Sequence, residues 1–130
     1  MSTIEVRILE KAFTEFRNFS KPVRTKFAFI FNAIESGFGN RNIPRSKFKK
    51  LSGNEIFEAR VKHNGQIYRG LSAFVGSNLI SVVFLKKKSQ KLPIKELNKA
   101  MRRFELYQHY LQQNENNKSK TIDRKRVPNP

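Results

Sequence analysis

The side chains in this sequence whose types and spacing suit chemistry are cations. The main candidates follow one another through the middle of the chain: Lys47, Lys49, Arg60, Arg69 and the run Lys86–Lys88. Arginine presents a planar fork that contacts two phosphate oxygens at once, whereas a lysine amine can hold or release a proton. Such a set fits cleavage of RNA by its own 2′-OH, in which a base activates the hydroxyl, cations stabilise the phosphorane and an acid protonates the 5′ leaving oxygen.

Composition also favours a polyanionic partner. Of the 130 residues, 27 are Lys or Arg and only 10 are Asp or Glu, which gives a formal net charge of +17. An excess of this size repels itself in a compact chain, and it is easiest to understand if the working partner is a polyanion. Nucleic acid, and RNA in particular, is the favoured partner because bound phosphates release their counterions. An anionic membrane surface is the alternative.

The sequence offers little to a metal or a cofactor, and we expect neither. It has no cysteine, which excludes disulfides and Cys-based zinc sites, and its two histidines, His63 and His109, are far apart. The N-terminal residues lack the apolar core of a signal peptide. The longest strongly apolar run, Leu79–Leu85, is too short to span a bilayer. We therefore expect a cytoplasmic protein.

The first third of the chain is predicted to form a strand and a helical hairpin. Residues Ile4–Leu9 alternate apolar and polar side chains with a period of two, which is typical of a strand. A short helix is expected to end near Ser20, which is then placed to begin a second helix. The apolar stripe of that second helix has helical spacing and consists of Phe27, Ile30, Phe31, Ile34 and Phe38.

The remainder is predicted to form an antiparallel meander and a C-terminal helix. After a basic loop at Asn40–Lys50, three strands are expected at Glu55–Lys62, Gln66–Val75 and Leu79–Lys87, joined by tight turns. The third strand is apolar on both faces and is therefore expected to be central. Pro93 opens the last helix. The fold class is α+β, with one domain over residues 1–113 and a basic tail, 114–130, that we expect to be disordered.

Alternation along the strands predicts which face carries the cations. Phe57 and Val61 share a face that we expect to pack on the helices, because successive side chains of a strand point to opposite sides. Arg60 then lies on the other face, which we expect to be open. Arg69 falls on the same side of the next strand as Ile67. The cations are thus expected on or near one sheet.

Each of these residues also has a purely structural interpretation. Arg60 pairs with Glu58 or Glu55 on a solvated face, the Lys86–Lys88 run only solubilises a strand end, and His63 is a surface turn residue. These interpretations stay open at the level of sequence, since single charged residues on strands are common at protein surfaces.

The stretch from Lys50 to about Leu111 resembles the HigB/Gp49-like branch of the RelE/ParE toxin superfamily. The motifs that carry the resemblance occur in order along the chain: Lys50-Leu51, Phe57-Glu58-Ala59-Arg60, Tyr68-Arg69, Phe84-Leu85-Lys86-Lys87-Lys88 and Pro93. The branch has Glu-Leu-Arg where this chain has Glu58-Ala59-Arg60. No position matches the Tyr or His that other branches use as a general base.

The resemblance implies a RelE-like fold, a toxin that cuts mRNA on the ribosome without a metal, and a helix-turn-helix antitoxin, HigA-like, as partner. It also implies two groups of site residues. The catalytic group is Arg60, Arg69, Lys86 and Lys87. The group expected to bind nucleic acid is Lys47, Lys49, Lys50, Lys88 and Lys91.

Two other functions are compatible with the same scaffold, because a fold does not fix a function. One is a ParE-like inhibitor that binds DNA gyrase and cuts no RNA. The other is a protein that binds nucleic acid without catalysis.

Overall fold

The computed structural model describes residues 4–37, 43–87 and 91–113, together with the backbone of 126–127. Three helices and six strands follow in the order β1 (Glu5–Leu9), α1 (Glu10–Arg17), α2 (Lys21–Gly37), β2 (Phe48–Lys50), β3 (Phe57–His63), β4 (Gln66–Val75), β5 (Asn78–Lys87), α3 (Ile94–Gln113) and β6 (Arg126–Val127). The α+β class is confirmed, as are the N-terminal strand with its helical hairpin, the meander and the C-terminal helix.

All strands belong to one sheet with the order β2-β3-β4-β5-β1-β6. Strands β3 to β5 form the predicted antiparallel meander, β2 pairs with β3 at its edge, and β1 joins it by pairing in parallel with β5. The turn between β3 and β4 is made by Asn64 and Gly65, whose positive φ angles of 50° and 75° suit a two-residue hairpin. Strand β5 lies inside the sheet and is buried on both faces, as its apolar sequence predicts.

A cluster of phenylalanines packs the helical hairpin against one face of the sheet. The rings of Phe16 in α1 and Phe27 in α2 lie 4.9 Å and 5.4 Å from the ring of Phe84 in β5. Gly70 lies opposite Phe84 on β4, and a Cβ atom there would come within 2.8 Å of the Phe84 ring. Glycine at this position therefore makes room for the ring that joins the sheet to both helices.

An ion pair closes the part of the β5 edge that β1 does not reach. Strand β1 pairs with β5 only as far as Ser81. Beyond it, Glu15 accepts a hydrogen bond from the backbone N–H of Phe84, and Arg103 of α3 donates to the carbonyl of Val82. The two side chains also bond each other at 3.1 Å. Backbone groups that would lack strand partners are thus satisfied by α1 and α3.

Strand β2 is a correction to the predicted loop at Asn40–Lys50. Residues Phe48–Lys50 pair with Phe57–Ala59 and form the edge of the sheet. Phe48 is buried, and its ring stacks on that of Phe57 at 5.3 Å. A single aromatic residue in a basic stretch cannot show the alternating pattern of a strand. The sequence therefore does not predict β2, which forms because it packs against β3.

The C-terminal tail is only partly described. Arg126 and Val127 pair in parallel with Ile8 and Leu9, which extends the sheet beyond β1 by one short strand. The rest of the segment 114–130 lies outside the described residues, so its disorder stays a prediction. Within the described part of the chain, no helix has both the length and the apolar character to cross a membrane.

Candidate nucleic-acid interface

The register of the meander gathers the predicted cations on one face of the sheet. Arg60 of β3 is the direct partner of Arg69 on β4, and Lys62 is aligned through Ile67 with Lys87 on β5. Directly paired residues of an antiparallel sheet project to the same side. Arg60, Lys62 and Lys87 therefore share a face although 27 residues of sequence separate Arg60 from Lys87.

The edge strand adds another cation to this face. Lys49 of β2 is the cross-strand partner of Glu58, which has the same parity as Arg60. Lys47 precedes β2, is exposed, and its carbonyl accepts a hydrogen bond of 2.8 Å from the N–H of Arg60. We call the set Lys47, Lys49, Arg60, Lys62 and Lys87 the cationic face.

Arg69 projects from the same face of the sheet as Arg60 but is buried there. Its side chain is 1% exposed and forms an ion pair with Glu58, with 3.5 Å between Arg69 Nε and Glu58 Oε2. Burial lowers the pKa of Arg69, the carboxylate of Glu58 raises it, and the neighbouring charge of Arg60 lowers it further. The arginine motif Tyr68-Arg69 thus supplies a buried charge that sits next to Arg60.

The expectation of an open face is wrong over most of its length. Leu71, Val83 and Leu85 have the same parity as Arg69, and all are buried together with Glu58. Arg60 itself is half-buried. The face is exposed at one end, at Lys62 and Lys87, and at Lys47 before β2, because apolar residues of β4 and β5 occupy the middle.

The remaining predicted residues are distributed around the sheet. Lys86 pairs with Tyr68 and is exposed on the opposite side from Lys87. Lys50 pairs with Phe57, so it too faces away from Lys49. Lys91 is exposed just before α3, and Lys88 lies outside the described residues. The structure therefore brings Arg60, Lys87, Lys47 and Lys49 to one face and leaves Lys86 and Lys50 on the other.

A groove opens beside Arg60, between α2 and the end of β3. Its volume is about 520 Å³, and its described lining residues are Lys26, Phe29, Ile30, Ala33, Ile43, Pro44, Ser46, Lys47, Arg60, Val61 and Lys62. Phe29 is 71% exposed, which is unusual for a phenylalanine ring. The groove is continuous with the cationic face because Lys47, Arg60 and Lys62 belong to both.

Sequence reasoning missed Lys26 and Lys62 as members of the site. Lys62 carried a usable signal, since it follows Arg60 by two positions on the same strand and must share its face. Lys26 carried none, because it reaches the site only through packing of α2 on β3. Its ammonium donates to the carbonyl of Lys62 at 2.9 Å and lies 3.2 Å from Nδ1 of His63.

The chemistry of the site is that of phosphate binding. Among the described residues, no group of three or more His, Cys, Asp or Glu side chains is placed to hold a metal ion. Fixed cations around a partly apolar groove can neutralise phosphates and stabilise negative charge that develops on them.

Comparisons with known proteins agree with the fold. No curated protein matches the chain. Among solved structures, an arginine-to-alanine mutant of the Escherichia coli toxin RelE in the free state is similar to it, with a TM-score of 0.58 and 14% sequence identity. The match covers 78% of this chain and 98% of that one. The family model described as phage derived protein Gp49-like (DUF891) matches residues 14–105. The chain therefore belongs to the Gp49-like family, a branch of the RelE/HigB type of toxins.

Proposed function

We propose that this protein is the toxin of a type II toxin-antitoxin system and that it cuts mRNA on the ribosome. The observation that carries the proposal is the cationic face, on which strands distant in sequence align Arg60, Lys62 and Lys87. Family membership supports the toxin role. A protein that only bound and blocked another protein would not need cations gathered around a groove of nucleotide size.

The reaction requires a base, a clamp on the phosphate and an acid. The 2′-OH loses its proton to the base and its oxygen bonds to phosphorus. The bond from phosphorus to the 5′ oxygen then breaks, and the acid gives that oxygen a proton. The products carry a 2′,3′-cyclic phosphate and a 5′-OH, and no metal takes part.

We assign the clamp to Arg60 and the acid to Lys87. The Arg60 guanidinium can hold two phosphate oxygens as negative charge develops on them. The ammonium of Lys87 is exposed on the same face and can supply the proton. A lysine of the cationic face is the candidate base. Arg69 is a positioning residue in this scheme, because it is buried behind Arg60 and paired with Glu58.

The partner that we propose is an acidic antitoxin of the HigA-like, helix-turn-helix kind. A toxin of net charge +17 needs to be neutralised when it is idle. Carboxylates placed over the cationic face would block access to Arg60 and Lys87 and would be attracted to it over long range.

Substitution at Arg60 and Lys87 tests the nuclease proposal. We expect Arg60→Ala and Lys87→Ala each to lower the rate of mRNA cleavage by roughly a hundredfold, the scale found when one transition-state donor is removed. Arg60→Lys should also be impaired because it loses the two-pronged contact. The measurement is primer extension on cellular mRNA after brief induction, alongside growth arrest.

Matched controls are available on α3. Arg102→Ala and Lys95→Ala remove the same charges from exposed positions outside the cationic face, and both should cut mRNA at the wild-type rate. Circular dichroism checks that each variant folds. If the folded Arg60 and Lys87 variants cleave as fast as the wild type, the site assignment is wrong. If the wild type arrests growth without cutting mRNA, the nuclease proposal fails and gyrase supercoiling becomes the next assay.

A further inference from the structure

The groove beside Arg60 has the dimensions of a small-molecule site. Its volume of about 520 Å³ lies inside the range of roughly 300–1,000 Å³ that ligand pockets occupy. One wall is α2, with Phe29 and Ala33, and the other is the end of β3. Residues Ile43 and Pro44 close one side. The groove is thus a concave, partly apolar site, and a ligand bound in it would cover the exposed ring of Phe29.

The charge around the groove has one sign. Four cations line it, Lys26, Lys47, Arg60 and Lys62, and the described lining residues include no carboxylate. The four cations come from three parts of the chain: Lys26 from α2, Lys47 from the segment before β2, and Arg60 and Lys62 from β3. The four residues therefore border one groove only in the folded chain, where an anionic ligand is the occupant whose charge is complementary to theirs.

We propose that this groove binds one unpaired nucleotide of single-stranded RNA, with the base on the Phe29 ring and the flanking phosphates on the four cations. Stacking on an aromatic ring combined with cations along the backbone is how single strands are held without base pairing. The inference rests on the proposed function and adds a base-binding subsite next to the phosphate clamp at Arg60. In this proposal Phe29 binds an RNA base, and the residues of the cationic face carry out the cleavage.

An extended acidic peptide is the rival occupant, and the backbone argues against it. A peptide strand added to the edge of β3 would need the N–H of Arg60 and the carbonyl of Lys62. The N–H of Arg60 already donates to the carbonyl of Lys47, and the carbonyl of Lys62 accepts from the Lys26 ammonium. The strand edge is therefore partly satisfied, and what the groove offers a ligand is side chains.

Binding of a fluorescently labelled RNA hexamer to the purified full chain tests the proposal without requiring cleavage. We expect Phe29→Ala to weaken binding about tenfold, because each stacked base contributes that order of affinity. Phe29→Tyr should restore it, since the ring is kept. Ile94→Ala is the matched control, because Ile94 is 69% exposed on α3 and remote in sequence from the groove residues. An oligomer of the same length without bases should bind more weakly than the hexamer and respond little to Phe29→Ala.

The outcomes separate this proposal from the nuclease proposal. If Phe29→Ala binds the hexamer as tightly as the wild type, or if the oligomer without bases binds equally well, the base-binding subsite is refuted even where mRNA is cut. If RNA binding is unchanged and Phe29→Ala instead weakens the antitoxin complex, the groove is a protein-binding surface and the proposal is also refuted. If Phe29→Ala weakens RNA binding while no mRNA is cleaved, the subsite stands and the nuclease proposal falls.

Discussion

The ion pair of Arg69 and Glu58 gives the most direct test of how this sheet is built. Glu58→Ala removes the carboxylate that lies 3.5 Å from Arg69 Nε, while the Arg69 guanidinium stays 1% exposed and beside Arg60. Removing one partner of a buried pair costs about 3–5 kcal/mol, because the remaining charge is neither solvated nor compensated. For a domain whose total stability is about 5–15 kcal/mol, that is a large fraction. We expect the melting temperature to fall by roughly 10 °C or more.

The assay is urea unfolding of three variants followed by circular dichroism. Glu58→Ala and Arg69→Met should each be strongly destabilised, whereas Glu58→Leu combined with Arg69→Met should lose much less than the sum of the single changes. The pair of Lys99 and Glu96 is the contrast: its 3.0 Å distance is shorter, but Lys99 is 40% exposed. Lys99→Ala should cost no more than about 1 kcal/mol. A loss below about 1 kcal/mol for Glu58→Ala would refute the reasoning, since removing one partner of a buried ion pair should cost several times more.

Two further predictions concern α3 and the tail. Burial raises the pKa of Tyr107 above its ordinary value of 10.0, so the folded state holds this proton longer than the unfolded state does. The stability that protonated Tyr107 contributes is complete below about pH 10 and declines as the pH rises further. Tyr107→Phe should make that decline less steep, which is measured as the urea midpoint of unfolding from pH 9 to 11. Truncation after Gln113 should change the unfolding free energy by less than about 1 kcal/mol, because the described part of the tail, Arg126 and Val127, adds a strand of just two residues beside β1. It should also weaken RNA binding and make its salt dependence shallower, and a fall of many degrees in melting temperature would show that the tail is part of the domain.

Strong periodic patterns predicted most of the fold correctly. The stripe of α2 and the uninterrupted apolar run of β5 require a packed helix and a central strand whatever surrounds them. Strand β2 escaped prediction because only Phe48 marks it. No pattern in the sequence predicts that Arg126 and Val127 pair with β1. The strand edge that they join exists only once β1 has paired with β5.

The site was predicted less well, for a physical reason. Parity along a strand says which residues share a face, but it does not say whether that face is covered. Parity placed Arg69 on the same side of its strand as Ile67 and Leu71, and these apolar neighbours already indicated that the Arg69 side is buried. The sequence could not predict that Lys26 belongs to the site, because 36 residues separate it from the Lys62 carbonyl that it contacts.

The two arginines of one cross-strand pair therefore have different roles, although both match motif positions of the family. Arg69 is enclosed with Glu58, and its charge is held by the protein itself. Arg60 is half-buried at the point where the cationic face meets the groove, with Lys47 and Lys62 beside it, which is where the proposed function requires a phosphate clamp. Glu58 lies on the Arg69 side of this arrangement and lowers the cost of placing two guanidinium groups next to each other. Substitution of Arg69 should mainly lower the stability of the fold, whereas substitution of Arg60 should mainly lower RNA cleavage. The sequence motif alone does not predict this difference.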